Sequence, residues 1–207
     1  MFVLDNGIPW IAFPPGVPQL GGSCEFATRE CLQYCCVMLD FNPEMVKTEK
    51  FFMNNDEETI MAAMLAEYYE NYNLWATKMI GWFTSGDCRV ELTNKILTII
   101  EMLSVAGIKQ MVFTRNFKLW EEGSHIKGCK ILLSVDSERK AKRLVEDKVT
   151  RQVAVPRPHK GRIDIYGTKS KSTGSCSVTW MKTKKGEWYP AVCRDCSEGE
   201  RGCWEKQ

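Results

Sequence analysis

The chain has 207 residues, of which 44% are hydrophobic and 26% charged, with a formal net charge of +2. This balance suits one soluble domain with a core of useful size, and no apolar run is long enough to cross a bilayer. The first basic residue is Arg29, so the cationic start of a secretory leader is missing and the expected location is the cytoplasm.

Ile8 to Phe13 reads as a buried strand stopped by Pro14-Pro15-Gly16. A loop rich in Gly and Pro then carries Cys24, and helical character is expected from about Ala27 past Leu39, ending before Pro43. Asn55 with Glu58 resembles a capping pair for the next helix. Along that helix Met61, Met64, Leu65, Tyr68, Tyr72 and Trp75 recur at helical spacing, the pattern of a core-facing stripe rather than of a cofactor site. Ile80 to Thr84 reads as a strand and Ser85-Gly86-Asp87 as its turn. Leu92, Ile96, Ile99, Ile100 and Leu103 share one face of a third helix, which Gly107 ends.

Gln110 to Thr114 is the next expected strand, followed by Arg115-Asn116 and a short helix through Trp120. Lys130 to Val135 is another strand and Glu138 to Glu146 another helix. Arg151 to Val155 reads as a strand stopped by Pro156, and Ile163 to Tyr166 as a last one. Strands alternating with helices predict an α/β fold with mostly parallel strands, here an open, partial β/α barrel. Residues 1–167 would form that core, and 168–207 an irregular, cysteine-rich, metal-binding tail packed on it. In such barrels chemistry gathers at the C-terminal ends of strands. Four polar spots fall there: the Cys24 loop, Ser85-Gly86-Asp87, Arg115-Asn116, and Ser134 with Asp136.

Seven of the ten cysteines form two groups, Cys24-x6-Cys31-x3-Cys35, and Cys176 with Cys193-x2-Cys196-x6-Cys203. Reducing compartments do not sustain structural disulfides, so grouped thiols there point to metal. Three thiolates leave one iron of a cluster open, whereas four close a site. The front group begins in a loop and enters a helix, whose N-terminal dipole favours anionic sulfur. Cys31 and Cys35, four apart, would share a helical face. Cys36 would point about 100° away, which favours Cys35 as the third ligand. The rear group fits zinc or a [4Fe–4S] cluster equally. A metal there would order a tail of low apolar content. Cys88 and Cys129 read as ordinary thiols, and His125 and His159 are isolated. No Gly-rich phosphate loop, serine-hydrolase elbow or His-Glu-x-x-His helix is present.

Charge divides unevenly. Residues 1–138 hold 11 basic and 18 acidic side chains, and residues 139–207 hold 17 basic and 8 acidic. The basic second half is the expected contact for any nucleic acid, with a zinc-stabilised nucleic-acid-binding or host-interaction module as the non-catalytic alternative.

The stretch Cys24-Glu-Phe-Ala-Thr-Arg-Glu-Cys31-Leu-Gln-Tyr34-Cys35, the Ser85-Gly86-Asp87 turn and the late Cys-x2-Cys with Cys203-Trp204 resemble the phage gene product 88 family, itself similar to radical S-adenosylmethionine proteins. The resemblance implies a phage-encoded protein working in the host cytoplasm. It implies a [4Fe–4S] cluster on Cys24, Cys31 and Cys35, with the open iron taking the amino and carboxylate groups of S-adenosylmethionine. It also implies that Ser85, Gly86 and Asp87 meet the methionine amino group, and that Arg115 or Ser134 meets the carboxylate or ribose. The chain departs from the family in carrying Glu25-Phe26 where Pro-Gly is usual, and its cysteine gaps are longer than the radical S-adenosylmethionine pattern of three and two.

Overall fold

A computed structural model describes residues 1–5, 8–33, 42–75, 78–146, 152–157, 162–166, 174–176, 180–182 and 188–190. Strand β1 (Phe2–Asp5) pairs antiparallel with β2 (Ile8–Ile11), placing Phe2 opposite Ile11. From β2 onward the sheet runs parallel through β3 (Met79–Trp82), β4 (Lys109–Thr114), β5 (Cys129–Ser134) and β6 (Gln152–Arg157). Then β7 (Arg162–Tyr166) and β8 (Gly174–Cys176) add antiparallel strands. The order across the sheet equals the order along the chain, and β1 and β8 are its two edges, so the sheet is open. Parallel strands that advance in one direction through right-handed crossovers carry their helices on one face.

Those helices are α1 (Arg29–Gln33), α2 (Pro43–Asn54), α3 (Glu57–Glu70), α4 (Thr93–Val105), α5 (Phe117–Gly123) and α6 (Glu138–Glu146). The helix-facing side chains of the sheet, among them Ile11, Ile80, Trp82, Val112, Ile131 and Leu133, join one apolar core with the helices. The expected stripe is realised, with Leu92 at the N-cap of α4 and Ile96, Ile99, Ile100 and Leu103 along it all buried. Each such side chain contributes roughly 1.5–3 kcal/mol of burial. On α3, Met64 and Tyr68 are buried and Met61 and Leu65 pack partly against the core, whereas Tyr72 and Trp75, expected on the same helix, lie beyond its end at Glu70 and still pack against the core from the segment that follows. The polar groups inside are matched: Trp82 Nε1 donates to Gln110 Oε1 at 3.0 Å, and Gln110 Nε2 donates to the Ile100 carbonyl at 2.7 Å.

The opposite face of the sheet carries an aromatic pair. The ring of Trp10 stacks on Phe113 with centroids 6.4 Å apart, crossing β3 at Gly81. A Cβ on Gly81 would collide with that ring, so the glycine makes the crossing possible.

Several local expectations need correction. The cap of α3 is Asp56 rather than Asn55: its carboxylate accepts the Thr59 N–H at 2.7 Å. Asn55 instead closes α2, donating Nδ2 to the Phe51 carbonyl at 2.8 Å. Helix α2 itself falls where no helix was expected, although Asn42 caps it and Pro43 opens it. Strand β6 continues through Pro156. Its pairing with β5 ends at Ala154, so the prolines's missing donor falls where β6 has one neighbour. Within 168–207, the described residues form β8 and a small hairpin of β9 (Trp180–Lys182) with β10 (Trp188–Pro190), in place of wholly irregular backbone. No helix among the described residues is long and apolar enough to cross a membrane.

Candidate functional site

The loop after β2 is braced before it reaches the first cysteine. Ser23 N and Oγ both donate to the Pro14 carbonyl at 2.9 Å, and Cys24 N donates to the Gly16 carbonyl at 2.9 Å. Gly22 sits so close to Gly16 that any side chain would overlap its carbonyl. From the β3 side, Arg89 Nη2 donates to the Gly22 carbonyl at 3.1 Å and Val90 N donates to Glu25 Oε2 at 2.8 Å. Arg89 is itself held by Glu49 of α2 at 2.6 Å, a pair largely shielded from water. A glycine-rich loop has no regular ladder to satisfy its backbone, and these contacts replace one.

The turn Ser85-Gly86-Asp87 is the hub of the site. Gly86 has φ 72°, and a Cβ there would lie 2.5 Å from the Phe13 carbonyl oxygen and from Ser23 Oγ, so glycine is required on both counts. Asp87 N donates to Ser23 Oγ at 3.0 Å, tying the turn to the cysteine loop. The buried Asp87 carboxylate accepts from Cys88 N at 2.7 Å, Thr114 Oγ1 at 2.6 Å and Arg115 N at 2.8 Å. It thereby clamps the end of β3 to the end of β4. Burial pushes its acid up to about 6, against the pull of Thr114, the two backbone N–H groups and the Arg115 charge. Asn116 continues the network, donating Nδ2 to Thr93 Oγ1 at 2.8 Å while its Oδ1 caps α5 through Leu119 N at 3.1 Å.

Arg115 reaches across to the end of β5, where Nη2 meets Asp136 Oδ1 at 2.7 Å. The same guanidinium stands near Cys31, where its positive charge favours the thiolate. Cys31 rides on α1, whose first turn is held by Thr28 Oγ1 accepting the Cys31 N–H at 3.1 Å. Burial raises the Cys31 thiol pKa, and the charge of Arg115 works against that rise. For Arg115, burial disfavours the charge, but Asp136 and Cys31 outweigh it and its pKa stands above the ordinary value.

The four polar spots expected at the strand ends therefore do converge: Ser23 beside Cys24 bonds Asp87, Asp87 bonds Thr114 and Arg115, and Arg115 pairs with Asp136. Cys31 joins them through Arg115, and Ser134 stands half-buried at the end of β5. Among the described residues, the Ser85 hydroxyl at this rim and Trp10 Nε1 are buried without a hydrogen-bond partner. A buried hydroxyl left unmatched costs about 1–3 kcal/mol, so Ser85 Oγ is a group that gains from a further partner.

The third front ligand, Cys35, lies outside the described residues, as does its alternative Cys36. Among the described residues no group of three or more His, Cys, Asp or Glu side chains is disposed to hold a metal. Cys176 closes β8 opposite Ile163, on the far edge of the sheet from β2, while Cys193, Cys196 and Cys203 lie outside the described residues. Cys88 is fully buried, its Sγ 3.3 Å from the Arg89 carbonyl, and burial raises its pKa as it does that of Cys129. Sequence reasoning missed Ser23, Thr114, Arg89 and Glu49, whose partners lie on other elements. No family model, curated protein or solved structure matches this chain.

Proposed function

We propose that this chain is an iron–sulfur protein of the radical S-adenosylmethionine type, built on a partial β/α barrel. Its front thiols are Cys24, Cys31 and Cys35. The observation that carries the reading is the position of Cys31 near Arg115, whose guanidinium pairs with Asp136 at the C-terminal ends of the parallel strands, where open and closed β/α sheets alike keep their chemistry.

The donor set fits such a group. Thiol sulfur is the ligand type that iron–sulfur clusters take, and hydrogen bonds to sulfur tune their potentials. Cys24 and Cys31 stand on a braced loop and on the helix that follows it, the arrangement a wrapped cluster needs. Ser85 Oγ, without a partner among the described residues, is a polar group at the same rim. When bound, a cluster of this type supplies a low-potential electron and reductive cleavage of the sulfonium.

The protein's own residues do the rest. Asp87 fixes the spacing of the β3 and β4 ends, so that the Arg115 backbone cannot drift. Asp136 orients the Arg115 guanidinium, whose charge lowers the cost of the Cys31 thiolate against the larger effect of burial. Ser85 Oγ, two residues before Asp87 and without a partner among the described residues, is suited to a carboxylate or hydroxyl of a bound small molecule.

The test is anaerobic purification followed by reduction in the presence of S-adenosylmethionine. A brown protein that releases 5′-deoxyadenosine, and loses that activity in Cys31→Ala, is the expected result. A brown protein that releases none would limit the cluster to electron transfer and overturn the S-adenosylmethionine part. A colourless protein holding only zinc would overturn the whole reading.

A further inference from the structure

We propose that the exposed face of α6 docks a nucleic-acid strand through its phosphates and leads that strand toward the rim that holds Cys31 and Arg115. Helix α6 begins where β5 has just ended, and its first turn is held by Ser137 Oγ, which accepts the Lys140 N–H at 3.3 Å. Asp136, the partner of Arg115, therefore precedes the helix by two residues.

Arg139, Lys140, Lys142 and Arg143 are all exposed. At 100° per residue they cover an arc of about 160° centred near Arg139 and Arg143. The opposite arc carries Ala141, fully buried, and Leu144, packed against the core. The helix thus separates a cationic face from an apolar one, and the apolar face is already spent on the domain. That distinction selects the partner. A helix that binds a lipid surface needs its apolar face free to enter the acyl boundary, and α6 has none to offer. A phosphate backbone needs only the cations.

The surrounding charge agrees. Asp136, the described acid next to the helix, is engaged by Arg115 at 2.7 Å. By the same count the helix's own acids fall at its two ends, Glu138 outside the basic arc and Glu146 inside it, so the four cations of residues 139–143 stand between them, and basic residues outnumber acidic ones 17 to 8 from Arg139 onward. From Arg139 to Arg143 the helix rises about 6 Å, enough to meet roughly two phosphates of one strand.

This proposal does not depend on what the cysteines bind, so its failure and that of the iron reading are separable. The experiment measures binding of the full chain to a fluorescent single-stranded DNA oligonucleotide across a salt series. The expected result is salt-weakened binding, with Arg139→Glu/Arg143→Glu lowering affinity about 10-fold or more at low salt and flattening the log–log salt slope by about two. The charge-conserving Arg139→Lys/Arg143→Lys should bind nearly as the parent, which separates phosphate contact from damage to the helix. Unchanged affinity and slope in the charge-reversed variant would overturn the proposal. So would retention on vesicles rich in phosphatidylglycerol without oligonucleotide binding.

Discussion

The helix-facing core and the C-terminal rim are both buried, but they are held in different ways. The core packs Ile, Trp and Phe side chains in one apolar cluster, and its few polar atoms, such as Trp82 Nε1 and Gln110, are matched in pairs. The rim is a polar network running from Pro14 through Ser23, Asp87 and Thr114 to Arg115 and Asp136. Among the described residues it also keeps a buried hydroxyl, Ser85 Oγ, without a partner. Apolar packing tolerates small adjustments, whereas a network that clamps three strand ends fixes side-chain direction. The rim has the properties a reactive site needs, and the core has those that stability needs.

That contrast can be tested on both sides. Trp82→Ala should be the most costly single change, by about 3–5 kcal/mol in denaturant unfolding, because it empties a fully buried site and strands Gln110. It should leave the metal content of the surviving folded protein unchanged. Asp87→Ala should cost about 2–4 kcal/mol, since Thr114 Oγ1 and two backbone N–H groups lose their acceptor. Unlike Trp82→Ala it should also disturb the site, read as altered metal content. An Asp87→Ala protein as stable as the parent would show that the rim is not clamped as described.

The same carboxyl predicts a pH effect of definite sign. Its acid is raised from 3.8 to about 6 in the fold. Between those values the folded state holds a proton that the unfolded chain has released. Stability should therefore fall as pH rises through the window, by at most about 3 kcal/mol, and show no further Asp87 contribution above it. Asp87→Asn should remove that slope. Unfolding curves that become steadily more stable between pH 4 and 6 in the parent alone would contradict the assignment.

The smallest effect separates two glycines with similar backbone. Gly107 ends α4 at φ 79° with open space around it, so Gly107→Ala should cost about 1 kcal/mol. Gly86 has φ 72° and a blocked Cβ position, so Gly86→Ala should cost about 2 kcal/mol or more. Equal costs would mean that the turn at the rim is no tighter than an ordinary helix end.

The core was legible in the sequence because its signal is periodic. Ile96, Ile99, Ile100 and Leu103 announce α4 by spacing alone, and all four are buried. Local chemistry was legible to within a residue, which was not enough at α3, where adjacent Asn55 and Asp56 both resemble caps and only the geometry assigns their roles. Helix α2 was missed although Asn42, Pro43 and Glu44 form an opening signature. The rim was legible only as a set of strand-end positions. That Ser23 meets Asp87, 64 residues away, and that Cys31 meets Arg115, follows from the sheet order and from no local pattern.

The most direct measurement is iron and acid-labile sulfide in oxygen-free preparations of the parent and of Cys24→Ala, Cys31→Ala and Cys35→Ala. The account predicts iron with sulfide in the parent, and the same loss of both in each single variant, with any metal of the rear cysteines retained. Parent protein free of iron, or three variants that keep all of it, would contradict the claim that these thiols share one centre.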